Sequence, residues 1–330
     1  MTPDPAGWPR VSVVIAARNA AATLPSCLAS LRALDYPSVE ILLVDDGSSD
    51  ATAEIAESAG VRVLQSAGGA SAARNLGARE AAGDVLAFTD ADCEVPPHWL
   101  RALVTPLRRP GIVSAGGPQV HVFANEDHAS AAIRSFLACA SVVAEYSRTG
   151  GGEREVPHNA SCNSVYDRAA FLAMNGFTEG LWPAEDVDLD RRLALAGHRC
   201  WFVPGAAVRH RRQAGLGWFG RMMRRYGRGQ GVLVRRYGIF RPIQALAFVA
   251  LAGILLQAGW AWPAARPWMA AAHGIVLLAA LVTLARCAPV RQWAAVAGVG
   301  GIAVAEWLAG FLAGILTNRT AGGTVPRATR

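Results

Sequence analysis

Four short apolar runs, Val11 to Ala17, Val39 to Asp45, Val61 to Gln65 and Val85 to Thr89, alternate with helix-patterned stretches at Ala22 to Leu34, Ala51 to Ala59 and Ser71 to Ala82. Runs that are apolar at consecutive residues belong to strands buried on both faces, and the intervening helices supply the cover. The pattern predicts an α/β fold with a mostly parallel sheet, in which ligands gather at the carboxyl ends of strands. Beyond Pro96 the alternation loosens. Ile112 to Val122 reads as a strand, Ala129 to Tyr146 as a helix, Arg148 to Glu155 as a Gly-rich loop over a site, and Asn163 to Tyr166 as a short strand. A further helix opens at Glu185 and runs through Ala196.

Two strand ends carry acids. Ile41 to Val44 runs into Asp45-Asp46-Gly47-Ser48-Ser49-Asp50, and Val85 to Thr89 runs into Asp90-Ala91-Asp92. Turn and cap chemistry explains Gly47 and Ser49 or Asp50, and a lone Asp-x-Asp is commonly a solvated turn. Carboxylates crowded where a strand leaves the core are costly unless a cation meets them. Oxygen donors suit Mg²⁺ or Mn²⁺ carrying a diphosphate. A third cluster places Glu185, Asp186, Asp188 and Asp190 at the start of a helix. A helix N-terminus favours acids by about 0.3–1 kcal/mol, which four in so short a stretch exceed. In an adjacent pair one carboxylate raises the pKa of the other, the condition for a general base. Neither GxGxxG nor GxxxxGK[ST] accompanies these strands, so the dinucleotide and P-loop readings fail on their own criterion. The six cysteines (27, 93, 139, 162, 200 and 287) form no CxxC pair and read as reduced, packed thiols.

All 32 basic residues are Arg, and the net charge is +7. The location of that charge argues against nucleic acid. Between Arg209 and Arg241 stand ten Arg and no acids, directly before the apolar stretches Ile243 to Trp262, Trp268 to Ala285 and Trp293 to Leu316. Each is about 18 residues or longer and nearly uncharged, so three transmembrane helices are expected, with the basic segment on an anionic cytoplasmic membrane face. Glu306 lies in the third, where an acid usually faces a helix partner. The N-terminal residues before Val11 do not resemble a secretory signal.

In this order, Val11-Ser12-Val13-Val14-Ile15, Val44-Asp45-Asp46-Gly47-Ser48-Ser49-Asp50, Ala73-Arg74-Asn75, Asp90-Ala91-Asp92 and Glu185-Asp186 resemble the motifs of family 2 glycosyltransferases of the GT-A fold. The resemblance covers roughly Arg10 to His210, and the tail resembles that of membrane-attached bacterial members making exopolysaccharide or lipid-linked sugars. It implies a GT-A catalytic domain at 1–208, a basic amphipathic juxtamembrane segment at 209–241, a transmembrane region at 242–318 and a tail at 319–330. It further implies Asp45 or Asp46 at the base of a nucleotide-sugar donor, Arg74 near the base or phosphates, Asp90 at the ribose or sharing the metal, and Asp92 on Mg²⁺ or Mn²⁺. His210 resembles a downstream His that completes the metal site. Asp186 is the implied general base, with Glu185 orienting the acceptor. Trp182 is a candidate for stacking on a sugar, whereas Trp201 reads as core. Arg191-Arg192 stands where processive relatives carry Gln-x-x-Arg-Trp, which points to single addition. Ala16-Ala17-Arg18-Asn19 departs from the usual Pro after the first strand.

The resulting expectation is an inverting, metal-dependent transferase moving a sugar, uridine-linked, to a hydroxyl of a lipid-linked or glycan acceptor. Its setting would be the inner membrane, multi-pass, with the catalytic domain cytoplasmic and other glycan-assembly proteins as partners. One alternative is a polyprenyl-phosphate sugar synthase, whose anionic acceptor hardly needs Asp186. Another is a membrane-anchored sugar-nucleotide-binding protein without turnover. A phosphatase with Asp90 as nucleophile lacks the companion residues.

Overall fold

The computed structural model describes residues 7–140 and 151–317. They fall into two compact units, one of residues 7–122 and 151–212, the other of 123–140 and 213–317.

The first unit is built on β1 (Val11–Ala17), β2 (Val39–Asp45), β3 (Arg62–Gln65) and β4 (Val85–Asp90), alternating with α1 (Leu24–Arg32), α2 (Thr52–Ser58) and α3 (Ala70–Glu80). There follow β5 (Cys93–Glu94), α4 (Trp99–Val104), β6 (Ile112–Gly116) and β7 (Gln119–Phe123), whose last residue enters the second unit. After α5 (His128–Ala140) the chain returns through β8 (Arg154–Val156), β9 (Asn163–Asp167), α6 (Arg168–Ala173), α7 (Glu185–Leu195), β10 (Arg199–Phe202) and β11 (Val208–Arg212). The main sheet has the order β3-β2-β1-β4-β9-β6-β10-β8, and a small sheet has the order β5-β11-β7. Strands β1 to β4 are mutually parallel, while β9 runs antiparallel to both β4 and β6, so the sheet is mixed.

The continuous apolar runs have the expected cause. Val11, Val13 and Ile15 face a core with Leu24, Leu28 and Trp99, whereas Val14, Leu42 and Phe88 face one with Tyr166, Phe171 and Phe177. Both faces of the strands are therefore dry.

One expectation needs correction here. The strand at Ile112 to Val122 is two strands, β6 and β7, which belong to different sheets. Pro118 has no N–H for a ladder, and a side chain on Gly117 would collide with the Ala206 carbonyl. The boundary at 208/209 falls within β11, whose buried and exposed residues alternate as a strand's do. The helix from Ala129 is observed as α5, its continuation at 141–146 lying outside the described residues, as do 148–150 of the Gly-rich loop.

The second unit comprises α5, α8 (Leu216–Tyr237), α9 (Pro242–Leu256), α10 (Arg266–Cys287) and α11 (Trp293–Leu316). Helices α8 and α11 meet backbone to backbone. A Cβ on Gly227 would overlap the Trp307 carbonyl, and one on Gly310 the Arg224 carbonyl; Gly231 and Gly314 repeat the contact one turn on. Arg224 pairs with Glu306, which gives the acid in the apolar helix its partner.

Three membrane spans are not supported. Among the described residues, one helix, Val290–Leu316, is long and apolar enough to cross a membrane, or two if Leu216–Tyr237 and Pro242–Ile254, bent by 102°, form one broken span. The expected span from Ile243 to Trp262 breaks at Leu256 into 3₁₀ turns around Pro263. A helix of 15 residues reaches about 22 Å, short of the ~30 Å hydrocarbon layer. The stretch from Trp268 to Ala285 lies in α10, and side chains 275–281 there are outside the described residues, as is the tail from 318.

Candidate active site

Register brings the acids of β2 and β4 to one edge. On β1, Ala17 is the partner of Asp45 and Ala16 the partner of Asp90, so both carboxylates flank the end of the same strand. Asp45 is buried and accepts from the Ser48 N–H at 3.1 Å, closing the turn in which Gly47 takes φ +74°. Asp46, also buried, accepts from the Gly69 N–H at 3.0 Å just before α3. The adjacent Asn19 accepts from the Ser49 N–H at 2.8 Å, tying the Asp46–Ser49 loop to the end of β1.

Arg74, on α3, joins the clusters. Its guanidinium is buried, donating to Asp90 Oδ1 at 2.7 Å and to Glu185 Oε1 at 2.9 Å. The resemblance implies base or phosphate contacts for Arg74, and the structure directs both terminal nitrogens to carboxylates. The neighbouring Asn75 holds the loop before α7, exchanging hydrogen bonds with the Phe177 backbone at 2.8 and 2.9 Å.

The four acids of α7 separate by helical direction. Glu185 points to Arg74, and Ser161 donates to its Oε1 at 3.3 Å, while its buried Oε2 has no hydrogen-bond partner. Burial, and then the Asp186 charge, push Glu185 up to about 7 against the attraction of Arg74. Asp186 is half-buried and accepts from the Ser161 N–H at 3.2 Å. Asp188 accepts from Thr178 at 2.6 Å and from Arg192 at 3.0 Å. Asp190 accepts from the Asn159 N–H at 2.8 Å and the Tyr166 hydroxyl at 3.0 Å. The last two acids are anchors of surrounding loops, a division that four acids within six residues did not disclose.

His210, far along the chain, joins Asp90 and Asp92. Strand pairing sets His210 opposite Cys93, and its Nε2 lies 3.1 Å from Asp92 Oδ1. The other ring nitrogen meets Gln119 Oε1 at 3.0 Å, a partner unmarked in the sequence. One donor atom each from Asp90, Asp92 and His210 all lie within 4.8 Å of one another. Two carboxylates and an imidazole fit a divalent cation of the Mg²⁺ or Mn²⁺ type. Burial raises the Asp92 carboxyl, but the hydrogen bond and charge of His210 outweigh it and the carboxyl is held below its usual value.

Trp182 is 49% exposed on the loop before α7, whereas Trp201 packs against the core and donates to Glu153 at 3.0 Å. Asn163 was not singled out, yet it is a buried hub: it accepts from Trp99 at 2.7 Å and donates to the Pro118 and Ala206 carbonyls at 3.0 and 2.8 Å. A polar residue heading a short strand was the available signal.

The sequence profile of glycosyl transferase family 2 matches residues 12–173. The chain is similar to glycosyltransferase AglE of Haloferax volcanii, 33% identical over 137 residues, covering 39% of this chain and 45% of AglE. It is similar to the pre-mycofactocin glycosyltransferase of Mycobacterium tuberculosis, 28% identical over 263 residues, covering 76% of this chain and 53% of that protein. The chain thus spans about half the length of these curated relatives. Among solved structures, mannosyltransferase PcManGT from Pyrobaculum calidifontis, in complex with GDP-Man and Mn²⁺, superposes with a TM-score of 0.60 at 20% identity. That likeness covers 96% of this chain and 90% of PcManGT, and it shows the GT-A fold.

Proposed function

We propose that this chain, whose residues 12–173 match the profile of glycosyl transferase family 2, is a member of that family and moves a sugar from a nucleoside-diphosphate donor to an acceptor hydroxyl, with inversion. The carrying observation is Arg74, whose single guanidinium links Asp90 to Glu185. In this reading a donor-side carboxylate on β4 and an acceptor-side carboxylate on α7 are held together by one buried side chain.

In this reading Asp45 and Asp46 line the nucleoside side, and Asp90, Asp92 and His210 hold the cation. When bound, a divalent cation neutralises the diphosphate leaving group without proton transfer; PcManGT, with its Mn²⁺ and GDP-Man, supports that cofactor and a nucleotide-sugar donor. Uridine remains the nucleoside proposed from the sequence. Asp186, fixed by the Ser161 N–H and half-exposed, takes the proton of the attacking hydroxyl. Glu185, raised to about 7 and with one oxygen unpartnered, exchanges between its charged and protonated forms near neutral pH and orients the acceptor. Trp182 offers a face for a sugar ring.

The acceptor we propose is membrane-associated and lipid-linked, for polysaccharide or glycolipid assembly, with the catalytic unit on the cytoplasmic side. Support comes from α8, where Arg221, Arg224, Arg225, Arg228 and Arg235 share the exposed face, and from the apolar Val290–Leu316 helix.

Asp186→Asn tests the assignment. Donor binding, read as metal-dependent thermal stabilisation across a panel of nucleotide sugars, is expected to persist. Transfer is expected to fall by about 10²–10⁴. Near-normal transfer would remove the base role and point to a phosphate acceptor, already anionic.

A further inference from the structure

Behind the carboxylates lies a second set of donors that the proposed reaction does not use. Cys93 Sγ, Cys162 Sγ and a ring nitrogen of His210 all lie within 4.8 Å of one another, and all three residues are buried. The backbone builds this grouping: Cys93 of β5 is the cross-strand partner of His210 in β11, and Cys162 immediately precedes β9. Asp92 reaches the same place, its Oδ1 lying 3.1 Å from His210 Nε2 and 3.9 Å from Cys93 Sγ. Its side chain is 40% exposed.

Tetrahedral zinc, with bonds of about 2.3 Å to sulfur and about 2.0 Å to nitrogen or oxygen, spaces its donors by about 3.3–3.8 Å. The two thiols and the imidazole lie within 4.8 Å of one another, and the carboxylate stands 3.1 Å from the imidazole and 3.9 Å from one thiol, so the donors reach this spacing as their side chains draw inward. Soft sulfur donors select thiophilic ions, whereas Asp90 and Asp92 select hard ones. His210 and Asp92 belong to both groups, so the two ions compete for them.

We propose that Cys93, Cys162, His210 and Asp92 form a binding site for a thiophilic divalent cation such as Zn²⁺, and that filling it displaces the Mg²⁺ or Mn²⁺ of the carboxylate site. The displacement half rests on the cation role proposed above; the binding half stands on the donor set alone. On binding, each thiol yields its proton to solvent as a metal–sulfur bond forms, and His210 coordinates as the neutral imidazole. Traces of zinc thus inhibit transfer while manganese supports it, and a chelator selective for zinc restores activity.

Cadmium is the probe, added to the whole chain in metal-free buffer. Wild-type protein is expected to develop the ultraviolet cadmium–thiolate absorption, saturating at a single equivalent and lost in both Cys93→Ser and Cys162→Ser. Cadmium NMR on the wild-type protein, whose chemical shift counts sulfur ligands, needs no variant and should report two. Cadmium bound without the absorption, or with the shift of an oxygen-only site, overturns the site. Manganese binding is followed in parallel by its electron paramagnetic resonance signal. Cadmium should release manganese from wild-type protein but not from Cys162→Ser. Release that persists in that variant, or fails in the wild type, overturns the shared-ligand inference. If manganese never binds, the carboxylate reading fails, and the cadmium absorption still decides the thiol site.

Discussion

Arg74 is buried with one carboxylate on either side. Removing it leaves two acids without their counter-charge, so Arg74→Met is expected to cost about 3–5 kcal/mol in urea unfolding. Arg74→Lys should recover part of this, since a point charge reaches one partner but not both. Burial, then Asp186, lifts Glu185 from 4.5 to about 7, and burial lifts Asp190 from 3.8 to about 7. In the unfolded chain both ionise at their ordinary values. Their contribution to stability is therefore full below about pH 4 and is lost as pH rises through about 7, on the order of 3 kcal/mol for each. Thermal melts should show stability falling over that interval, and a flatter profile in Glu185→Gln and in Asp190→Asn. The acids themselves were legible in the sequence; their partners were not. Arg74 and Glu185 are 111 positions apart, and helix direction alone separates Asp186 from the anchoring Asp188 and Asp190.

At the scale of elements, β1 to β4 and the helices between them could be read from apolar runs because burial on both faces writes itself into consecutive residues. The small sheet could not. Its strands β5, β11 and β7 come from distant segments, β5 has two residues, and pairing alone makes it a strand. That sheet is what carries His210 to Asp92. The α8–α11 contact was equally hidden, since Gly227, Gly231, Gly310 and Gly314 look like ordinary small residues until their carbonyl neighbours are known. Gly310→Val should force these helices apart and cost about 1–3 kcal/mol, read as an earlier loss of helical circular dichroism on heating. Donor-induced stabilisation of the unfolding transition of residues 7–122 and 151–212 should survive that change if the two units unfold separately.

For the whole molecule, the charge of +7 is uneven: five arginines share the exposed face of one helix, and exposed Val249, Ile254, Trp262 and Trp268 follow it in the chain. Vesicles containing anionic lipid should bind the full chain more tightly than neutral ones, with binding weakened by salt. Replacing Arg221, Arg225, Arg228 and Arg235 with Gln should remove about 1 kcal/mol for each charge near the surface. Sedimentation with vesicles measures both effects. The Arg74–Glu185 link also orders events in time. As the chain leaves the ribosome, β1 to β4 can pair while α7 is still unmade, and the guanidinium then waits beside Asp90 alone. A half-synthesised chain thus has the Asp45 and Asp90 edge paired before Glu185 arrives to share the guanidinium.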